Sequence, residues 1–272
     1  MTALILDCDG VLADTERDGH LVAFNETFAE LGLAVRWTPE NYARLLRIGG
    51  GKERLRSLFD HADNPSPDVA GVPRSEGELD ALIRTIHAMK TARFIDLVSA
   101  GRIAPRPGVR RVVEEARAAG WQLAVASTSA EESVRSVLQS VVGADNASVF
   151  AGIFAGDQVR TKKPAPDIYL LACEKLGVGA GTAVVVEDSA VGAAAAAAAG
   201  LGHLVTVSAF TREESFPTAA AVVTSLGDDR EPTVCLAHAQ IPAPGHLVTL
   251  EDLDRVRCAV PPTAPIAPSH AH

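Results

Sequence analysis

Short aliphatic runs, separated by stretches with helical character, constrain the fold of this chain more than any other feature. The runs lie at 3–6, 122–127, 182–187, 203–208 and 220–226. Helix-like stretches lie between or beside them at 108–120, 129–143 and 165–178. Strands that are apolar along their whole length and alternate with helices are typical of βαβ units, whose parallel sheet is covered on both faces. We therefore predict an α/β fold with a parallel sheet between two layers of helices.

A long segment after the first strand interrupts this alternation, because it contains no strand-like run. Its apolar side chains recur instead at helical spacing, first at Leu21, Phe24, Phe28 and Leu31. Further helical patterns follow as far as residue 95. The sequence thus predicts a helical insertion between the first strand and the rest of the sheet.

The predicted division of the chain follows from this insertion. Residues 1–15 and 96–260 form the core, and residues 16–95 form the helical insertion. Within the insertion, the segment 63–73 is predicted to be a loop. The tail 261–272 is rich in Pro and Ala without a core-forming pattern, so we predict that it is disordered.

Composition limits the classes of partner. The net charge is −9 and 22% of the residues are charged, which argues against a nucleic-acid partner or an anionic membrane. No apolar run is long enough to span a bilayer, and the N-terminus lacks a secretory pattern. The four cysteines include no CxxC pair, which is typical of reduced thiols. We expect a cytoplasmic protein, or one of the plastid stroma if a transit peptide has been removed.

Polar residues follow the predicted strands where each one ends. They are Asp7 and Asp9 after the first run, Ser127 and Thr128 at the second, Glu187 and Asp188 at the run 182–187, and Lys163 at a loop-to-helix boundary. Ligands of open parallel sheets bind at the carboxyl ends of the strands. The sequence therefore places carboxylates, hydroxyls and a lysine at one edge.

These residue types suit phosphoryl transfer. Clustered carboxylates favour a hard divalent cation, and Mg²⁺ typically uses one or two carboxylates together with a substrate phosphate. Lys163 and the Ser127 hydroxyl can hold phosphate oxygens. One carboxylate is then available to attack phosphorus, and another can act as general acid and base.

Four segments in this order resemble the motifs of the haloacid dehalogenase-like hydrolase superfamily: "DCDGVLADTE", "ASTS", "KKPAPD" and "VVVEDSAVG". The resemblance runs from residue 4 to about 200. It implies a Rossmann-like core with a helical cap domain after the first strand, and Mg²⁺ as cofactor. It also implies that Asp7 is the nucleophile, that Asp9 is the general acid and base, and that Ser127 and Lys163 hold phosphate. The implied metal ligands are Asp7, the Asp9 backbone carbonyl, Glu187 and Asp188.

The predicted cap is similar to that of the CbbY subgroup, whose members dephosphorylate xylulose 1,5-bisphosphate. The similar segments are "TERDGHLVAFNETFAELGL" and "LLRIGGGKERL". The expected substrate-binding residues are Glu16, His20, Arg47, Gly51, Lys52, Arg54 and Thr128. Basic side chains and the glycine-rich helix start suit a second phosphate. A solvated basic face remains the alternative for the cationic residues, and a hinge role remains open for Glu16.

The leading functional hypothesis is a Mg²⁺-dependent sugar-bisphosphate phosphatase that forms an aspartyl phosphate. The same core would serve a β-phosphoglucomutase-like transferase or a broader sugar-phosphate phosphatase. A dehalogenase is disfavoured because it does not need an acid at Asp9, and a phosphonatase would need a Schiff-base lysine such as Lys52 or Lys90. A binding protein on a retained fold would have lost a catalytic residue. We expect a monomer, since the cap must move to admit substrate.

Overall fold

The structure is a computed structural model that describes residues 1–59, 75–238, 240 and 243–259. The predicted loop at 63–73 and the predicted tail at 261–272 lie outside the described residues. None of the helices within the described ranges is long and apolar enough to cross a membrane.

The described strands form one seven-stranded sheet in the order β3-β2-β1-β4-β5-β6-β7. The strands are β1 (Ala3–Leu6), β2 (Gln122–Ala126), β3 (Gly152–Phe154), β4 (Ala183–Glu187), β5 (Gly202–Thr206), β6 (Ala221–Val223) and β7 (Cys235–His238). Neighbouring strands are parallel, except that β7 runs antiparallel to β6. The predicted α/β class is confirmed, and β1 lies at the centre of the sheet.

Ten α-helices lie in the part of the chain that the structure describes. They are α1 (Leu21–Glu30), α2 (Pro39–Leu45), α3 (Gly51–Phe59), α4 (Glu76–Ser99), α5 (Val109–Ala118), α6 (Glu131–Val142), α7 (Ala144–Ala147), α8 (Asp167–Leu176), α9 (Ala190–Ala198) and α10 (Leu250–Cys258). A π-helical turn spans Glu16–His20, and 3₁₀ turns span Gly156–Gln158 and Ala180–Thr182.

Helices cover both faces of the sheet, as the apolar strands require. Helices α5, α6 and α10 pack on one face, and α8 and α9 pack on the other. Because successive side chains of a strand point to opposite faces, β1 sends Leu4 and Leu6 into one apolar cluster and Ile5 into the other. Burial on both faces explains why β1 reads as a continuous aliphatic run.

Between β1 and α5, the regular elements that the structure describes are all helices, and residues 16–59 and 75–99 are called the insertion below. It has a hydrophobic cluster of its own, distinct from the two clusters that flank the sheet. The large side chains of this cluster are Phe24, Phe28, Trp37, Tyr42, Leu55 and Ile86. Its last helix, α4, runs beyond residue 95 to Ser99. The division into a core domain and a cap domain remains a prediction.

Candidate active site

The carboxyl ends of three adjacent strands meet at the centre of the sheet. In the pairing of β1 with β2 on one side and β4 on the other, Leu6 at the end of β1 lies opposite Val125 and Val186, so the three strands end within one residue of each other. The next residue of each strand therefore lies at a shared edge, and Asp7 donates its backbone N–H to the Val186 carbonyl at 2.9 Å. Asp7, Ser127 and Asp188 are all buried there. The structure thus brings together the strand-end residues that the sequence singled out.

Lys163 joins this edge from the loop before α8. Its Nζ donates to Asp7 Oδ1 at 2.7 Å, to Glu187 Oε1 at 2.6 Å and to the Ala126 carbonyl at 3.0 Å. Burial lowers the pKa of Lys163, but the charges of Asp7 and Glu187 outweigh burial and raise it well above its ordinary value. Lys163 is therefore a fixed positive charge between two carboxylates.

Three carboxylates gather beside this lysine. Oxygens of Asp7, Glu187 and Asp188 lie within 4.8 Å of one another, and all three residues are buried. Burial raises the pKa of Asp7 and of Asp188, and repulsion from the neighbouring acids raises both further, while the charge of Lys163 offsets part of the rise at Asp7. Such a set of hard oxygen donors, with one cation for three acids, fits a divalent metal ion. The residues present therefore suit a metal site.

The loop after β1 lies very close to this acidic cluster. Gly10 has a φ of +80°, and a Cβ at this position would lie 2.1 Å from Oδ2 of Asp188. Both the backbone conformation and the close approach require glycine. This glycine allows Asp7 and Asp9 to lie on one tight loop against Asp188.

Asp9 is turned toward hydroxyl and imidazole donors. Its Oδ1 accepts from the Thr15 hydroxyl at 2.5 Å and from His20 Nε2 at 2.9 Å, and its Oδ2 accepts from the Ser129 hydroxyl at 2.5 Å. Burial tends to raise the pKa of Asp9, but the hydrogen bonds from His20, Ser129 and Thr15 outweigh burial. The pKa of Asp9 therefore lies well below its usual range.

A buried lysine stands behind His20. Lys90 Nζ lies 2.7 Å from His20 Nδ1, and the imidazole stacks on Phe94 with ring centroids 3.9 Å apart. An ammonium group can only donate, so Nδ1 accepts and Nε2–H donates to Asp9. Burial lowers the pKa of Lys90 to about 8. This chain of contacts fixes the orientation of His20 toward Asp9.

Glu16 and Arg54 are held together by Tyr42. The Tyr42 hydroxyl donates to Glu16 Oε2 at 2.7 Å and accepts from Arg54 at 3.2 Å, while Arg54 lies 3.8 Å from Glu16 Oε1. Glu16 and Arg54 line a cavity of about 60 Å³ together with Asp7, Asp9, Lys163 and Asp188. These two residues of the insertion therefore lie beside the acidic cluster.

The remaining predicted substrate residues lie at different distances from that cavity. Thr128 lines it and also a larger cavity of about 720 Å³. Gly51 and Lys52 line only the larger one, where Lys52 Nζ lies 2.5 Å from Asp157 Oδ2. Arg47 is exposed. A role for these residues in substrate binding remains a prediction.

Sequence reasoning missed several partners of the site. It gave no role to Thr15, Ser129 or Tyr42, and it considered Lys90 only for a phosphonatase. Tyr169, which donates to Glu187 Oε1, was also missed. Ser129 and Thr15 follow the motif residues closely, so proximity in the chain was an available signal. Tyr42 and Tyr169 are indistinguishable in sequence from ordinary core aromatics.

The comparison with known proteins is decisive for the family. The family model described as haloacid dehalogenase-like hydrolase matches residues 1–200 of this chain. The chain belongs to the haloacid dehalogenase-like hydrolase family. The buried carboxylates and Lys163 thus lie in an enzyme, and the resemblance inferred from the four motifs is confirmed.

Within this hydrolase family, CbbY proteins are among the similar relatives. The chain is 44% identical to a CBBY-like protein of Arabidopsis thaliana, over 87% of this chain and 72% of the relative. It is 43% identical to the plasmid protein CbbY of Cupriavidus necator, over 85% of this chain and 88% of the relative. The chain is therefore a CbbY-type member of the family, and a phosphatase.

A solved structure resembles this hydrolase along most of its length. It is a crystal structure of a CbbY variant from Rhodobacter sphaeroides in complex with xylulose-(1,5)bisphosphate. The two chains are 41% identical, with a TM-score of 0.74, over 83% of this chain and 95% of the other. The fold described above is thus shared with a protein whose crystal structure contains xylulose-(1,5)bisphosphate.

Proposed function

We propose that this enzyme is a Mg²⁺-dependent sugar-bisphosphate phosphatase whose substrate is xylulose 1,5-bisphosphate. The observation that carries the proposal is the contact of Lys163 with both Asp7 and Glu187 at the carboxyl edge of the sheet. This arrangement offers a nucleophile, a fixed positive charge and a metal site within one buried cluster. The similarity to a CbbY protein with bound xylulose-(1,5)bisphosphate supports the choice of substrate.

Asp7 is the proposed nucleophile. Lys163 donates to Oδ1 of Asp7 and so orients the carboxylate, which leaves Oδ2 for attack on phosphorus. Attack forms the Oδ2–phosphorus bond and breaks the bond between phosphorus and the sugar oxygen, which gives an aspartyl phosphate. Water then attacks phosphorus, which releases phosphate and regenerates the carboxylate.

Lys163, Ser127 and Thr128 are the proposed ligands of the transferring phosphoryl group. Lys163 and Ser127 are buried at the same edge as Asp7, and Thr128 lines the small cavity. Their positive charge and hydrogen-bond donors are placed where negative charge spreads over the equatorial oxygens. Because Lys163 and Ser127 are already fixed by burial, little reorganisation of these two groups would accompany the reaction.

Asp7, Glu187 and Asp188, with the backbone carbonyl of Asp9, are the proposed residues that would hold Mg²⁺. Bound there, the ion would neutralise charge on the phosphoryl oxygens and lessen the repulsion among the acids. Two of these carboxylates carry raised pKa values because they are buried beside other acids. A cation at this position would favour their ionised forms.

Asp9 is the proposed general acid and base. As the protein stands, Asp9 is ionised and held by Thr15, His20 and Ser129. To protonate the leaving sugar oxygen, it must exchange these donors for a proton of its own and turn toward Asp7. In the second step the same carboxylate removes a proton from the attacking water.

The insertion supplies the proposed contacts to the rest of the substrate. Glu16 is placed to accept hydrogen bonds from sugar hydroxyls, and Arg54 to donate to an anionic group. His20 acts on Asp9, with which it is in contact. Lys52, Arg47 and the helix start at Gly51 are the proposed second-phosphate residues, and Lys52 must then leave Asp157 for the substrate.

The test is phosphate release from a panel of substrates, with Mg²⁺ or with a chelator. The panel contains xylulose 1,5-bisphosphate, ribulose 1,5-bisphosphate, fructose 1,6-bisphosphate and glucose 1-phosphate. We expect turnover that requires Mg²⁺ and a strong preference for xylulose 1,5-bisphosphate. Equal and weak turnover of the whole panel would contradict the proposed substrate, and isomerised glucose phosphate without phosphate release would indicate a mutase.

A further inference from the structure

A turn after β5 contributes to the lining of the small cavity. Ser208 and Thr211 are both buried and both line this cavity. The Ser208 backbone N–H donates to the Thr211 hydroxyl at 2.9 Å, and the Thr211 N–H donates to the Ser208 carbonyl at 3.3 Å. These two bonds close a rigid turn, which is named the 208–211 turn below. Phe210 is presented from this turn.

Phe210 packs against the insertion and not against the sheet. Among the described residues, it is the one member of the insertion's hydrophobic cluster that comes from outside residues 21–86. Its ring contacts Tyr42 edge to face, with centroids 6.1 Å apart and an interplanar angle of 70°. The contact therefore joins the loop after β5 to α2, whose Tyr42 hydroxyl contacts both Glu16 and Arg54.

Ring contacts and hydrogen bonds hold the Tyr42 side chain in place. The side chain is fully buried, and the Trp37 ring lies 5.7 Å away on the insertion side. Its hydroxyl holds Glu16 and Arg54, both of which line the cavity. Of the ring contacts described for Tyr42, that with Phe210 alone comes from the sheet side. Removing the Phe210 ring would remove the one described ring contact that Tyr42 receives from outside the insertion.

We propose that Phe210 is a positioning residue that sets Glu16 and Arg54, through Tyr42, at the distance from Asp7 that a sugar phosphate requires. The inference rests on the proposed function, because it concerns the sugar end of the substrate. It predicts that Phe210 affects the preference of the enzyme for sugar phosphates over other phosphate esters. A substrate without a sugar makes no use of Glu16 and Arg54, so its turnover does not depend on Phe210.

The test compares xylulose 1,5-bisphosphate with p-nitrophenyl phosphate in Phe210→Ala, with Phe210→Leu as the conservative variant. For Phe210→Ala we expect kcat/KM on the bisphosphate to fall about tenfold, chiefly through KM, because an aromatic pair is lost. We expect turnover of p-nitrophenyl phosphate to change less than about threefold. Phe210→Leu, which keeps an apolar contact and is less disruptive to folding, should recover part of the loss.

Phe216→Ala is the matched control. Phe216 lies on the same loop with a similar partial burial, but it packs against a different hydrophobic cluster, which contains Ala193 and Val205. We expect the Phe216→Ala variant to keep the wild-type ratio between the kcat/KM values for the two substrates. If Phe210→Ala lowers kcat/KM equally for both substrates, or for neither, the positioning role is wrong.

A second measurement separates positioning from general packing. If Phe210 acts through the Tyr42 hydroxyl, its removal should matter less once that hydroxyl is gone. In a Tyr42→Phe background we therefore expect Phe210→Ala to reduce turnover of the bisphosphate by less than about threefold. Full additivity of the two substitutions would overturn the inference. Absence of sugar-phosphate turnover in the wild-type enzyme, with p-nitrophenyl phosphate still hydrolysed, would instead overturn the proposed function.

Discussion

At the residue scale, the loop after β1 depends on the absence of a side chain at one position. Gly10 combines a positive φ with close approach to Asp188, whereas Gly32 has a positive φ of +66° and no described atom within 4 Å of a Cβ built there. Comparing substitutions at Gly10 and Gly32 therefore distinguishes the effect of backbone strain from the effect of a steric clash. A side chain at Gly32 would cause backbone strain alone, whereas a side chain at Gly10 would cause both backbone strain and a clash with Asp188.

We therefore expect Gly32→Ala to lower the free energy of unfolding by about 1 kcal/mol. Gly10→Ala should lower it by more, roughly 2 kcal/mol or above, because the new methyl group displaces the Asp188 carboxylate. Urea denaturation of both variants measures this difference. Equal losses in the two variants would show that the contact with Asp188 has no effect on stability.

His87 supplies a pH dependence that is separate from the acidic cluster. Burial lowers the pKa of His87 to about 4; the charges of Lys90 and Lys52 act in the same direction, and the charge of Asp157 opposes them. In the unfolded chain its pKa is about 6.5. Between these values the unfolded state binds more protons, so stability is lost as the pH falls from about 6.5 toward about 4.

For His87→Asn we expect the free energy of unfolding to fall less steeply than in the wild type over this pH range. Denaturation at pH 6.5, 5.5 and 4.5, values that bracket most of the window, gives the two slopes. Other titrating groups are common to both proteins and cancel in the difference. Parallel slopes would mean that His87 is protonated equally in the folded and unfolded states.

At the scale of elements, the strands that are buried on both faces were predictable from the sequence, and the less buried strands were not. The runs that became β1, β2, β4 and β5 are buried on both faces, and their aliphatic composition marks them clearly. Strand β3 is short and only partly buried, and β7 is an edge strand with Leu236 exposed. Neither carries a distinct apolar pattern, so neither was predicted.

Helix α10 offers a test of local stabilisation far from the site. Thr249 accepts from the Asp252 backbone N–H at 3.2 Å, and Asp252 accepts from the Thr249 N–H at 3.0 Å, which forms a capping box. We expect Thr249→Ala to lower the free energy of unfolding by about 1 kcal/mol without changing kcat. Thr249→Ser keeps the hydroxyl and serves as the control. A Thr249→Ala variant as stable as Thr249→Ser would contradict the assigned cap.

At the scale of the whole molecule, the proposed metal site would make stability depend on Mg²⁺. Asp7, Glu187 and Asp188 are buried together with Lys163 as the nearby cation, so a divalent ion that binds only the folded state stabilises it. At about a hundredfold excess over Kd we expect the thermal midpoint to rise by roughly 5 °C. Differential scanning fluorimetry measures this without any turnover.

Asp188→Asn should remove most of this Mg²⁺-dependent shift, because it removes one carboxylate of the cluster. Asp145→Asn is the matched control, since Asp145 is exposed on α7. The control should retain the full shift. An undiminished shift in Asp188→Asn would place the stabilising ion elsewhere.

The limits of sequence reasoning at this scale concern contacts between distant segments. Motif order and strand ends were sufficient to predict the fold class and the family. The partners of Lys52 and Tyr42 were not predictable, because Asp157 and Phe210 lie far along the chain and local pattern carries no information about such pairs. The cytoplasmic or plastid location and the monomeric state likewise remain predictions.

The central claim is that Asp7 forms the aspartyl phosphate, and rapid acid quenching tests it most directly. Enzyme mixed with xylulose 1,5-bisphosphate and Mg²⁺ is quenched within one turnover, reduced with borohydride and mapped by peptide mass spectrometry. We predict that the phosphorylated and borohydride-sensitive residue is Asp7 and that Asp7→Asn gives no adduct. A phosphoryl group on any other residue, or turnover by Asp7→Asn at the wild-type rate, would contradict the account.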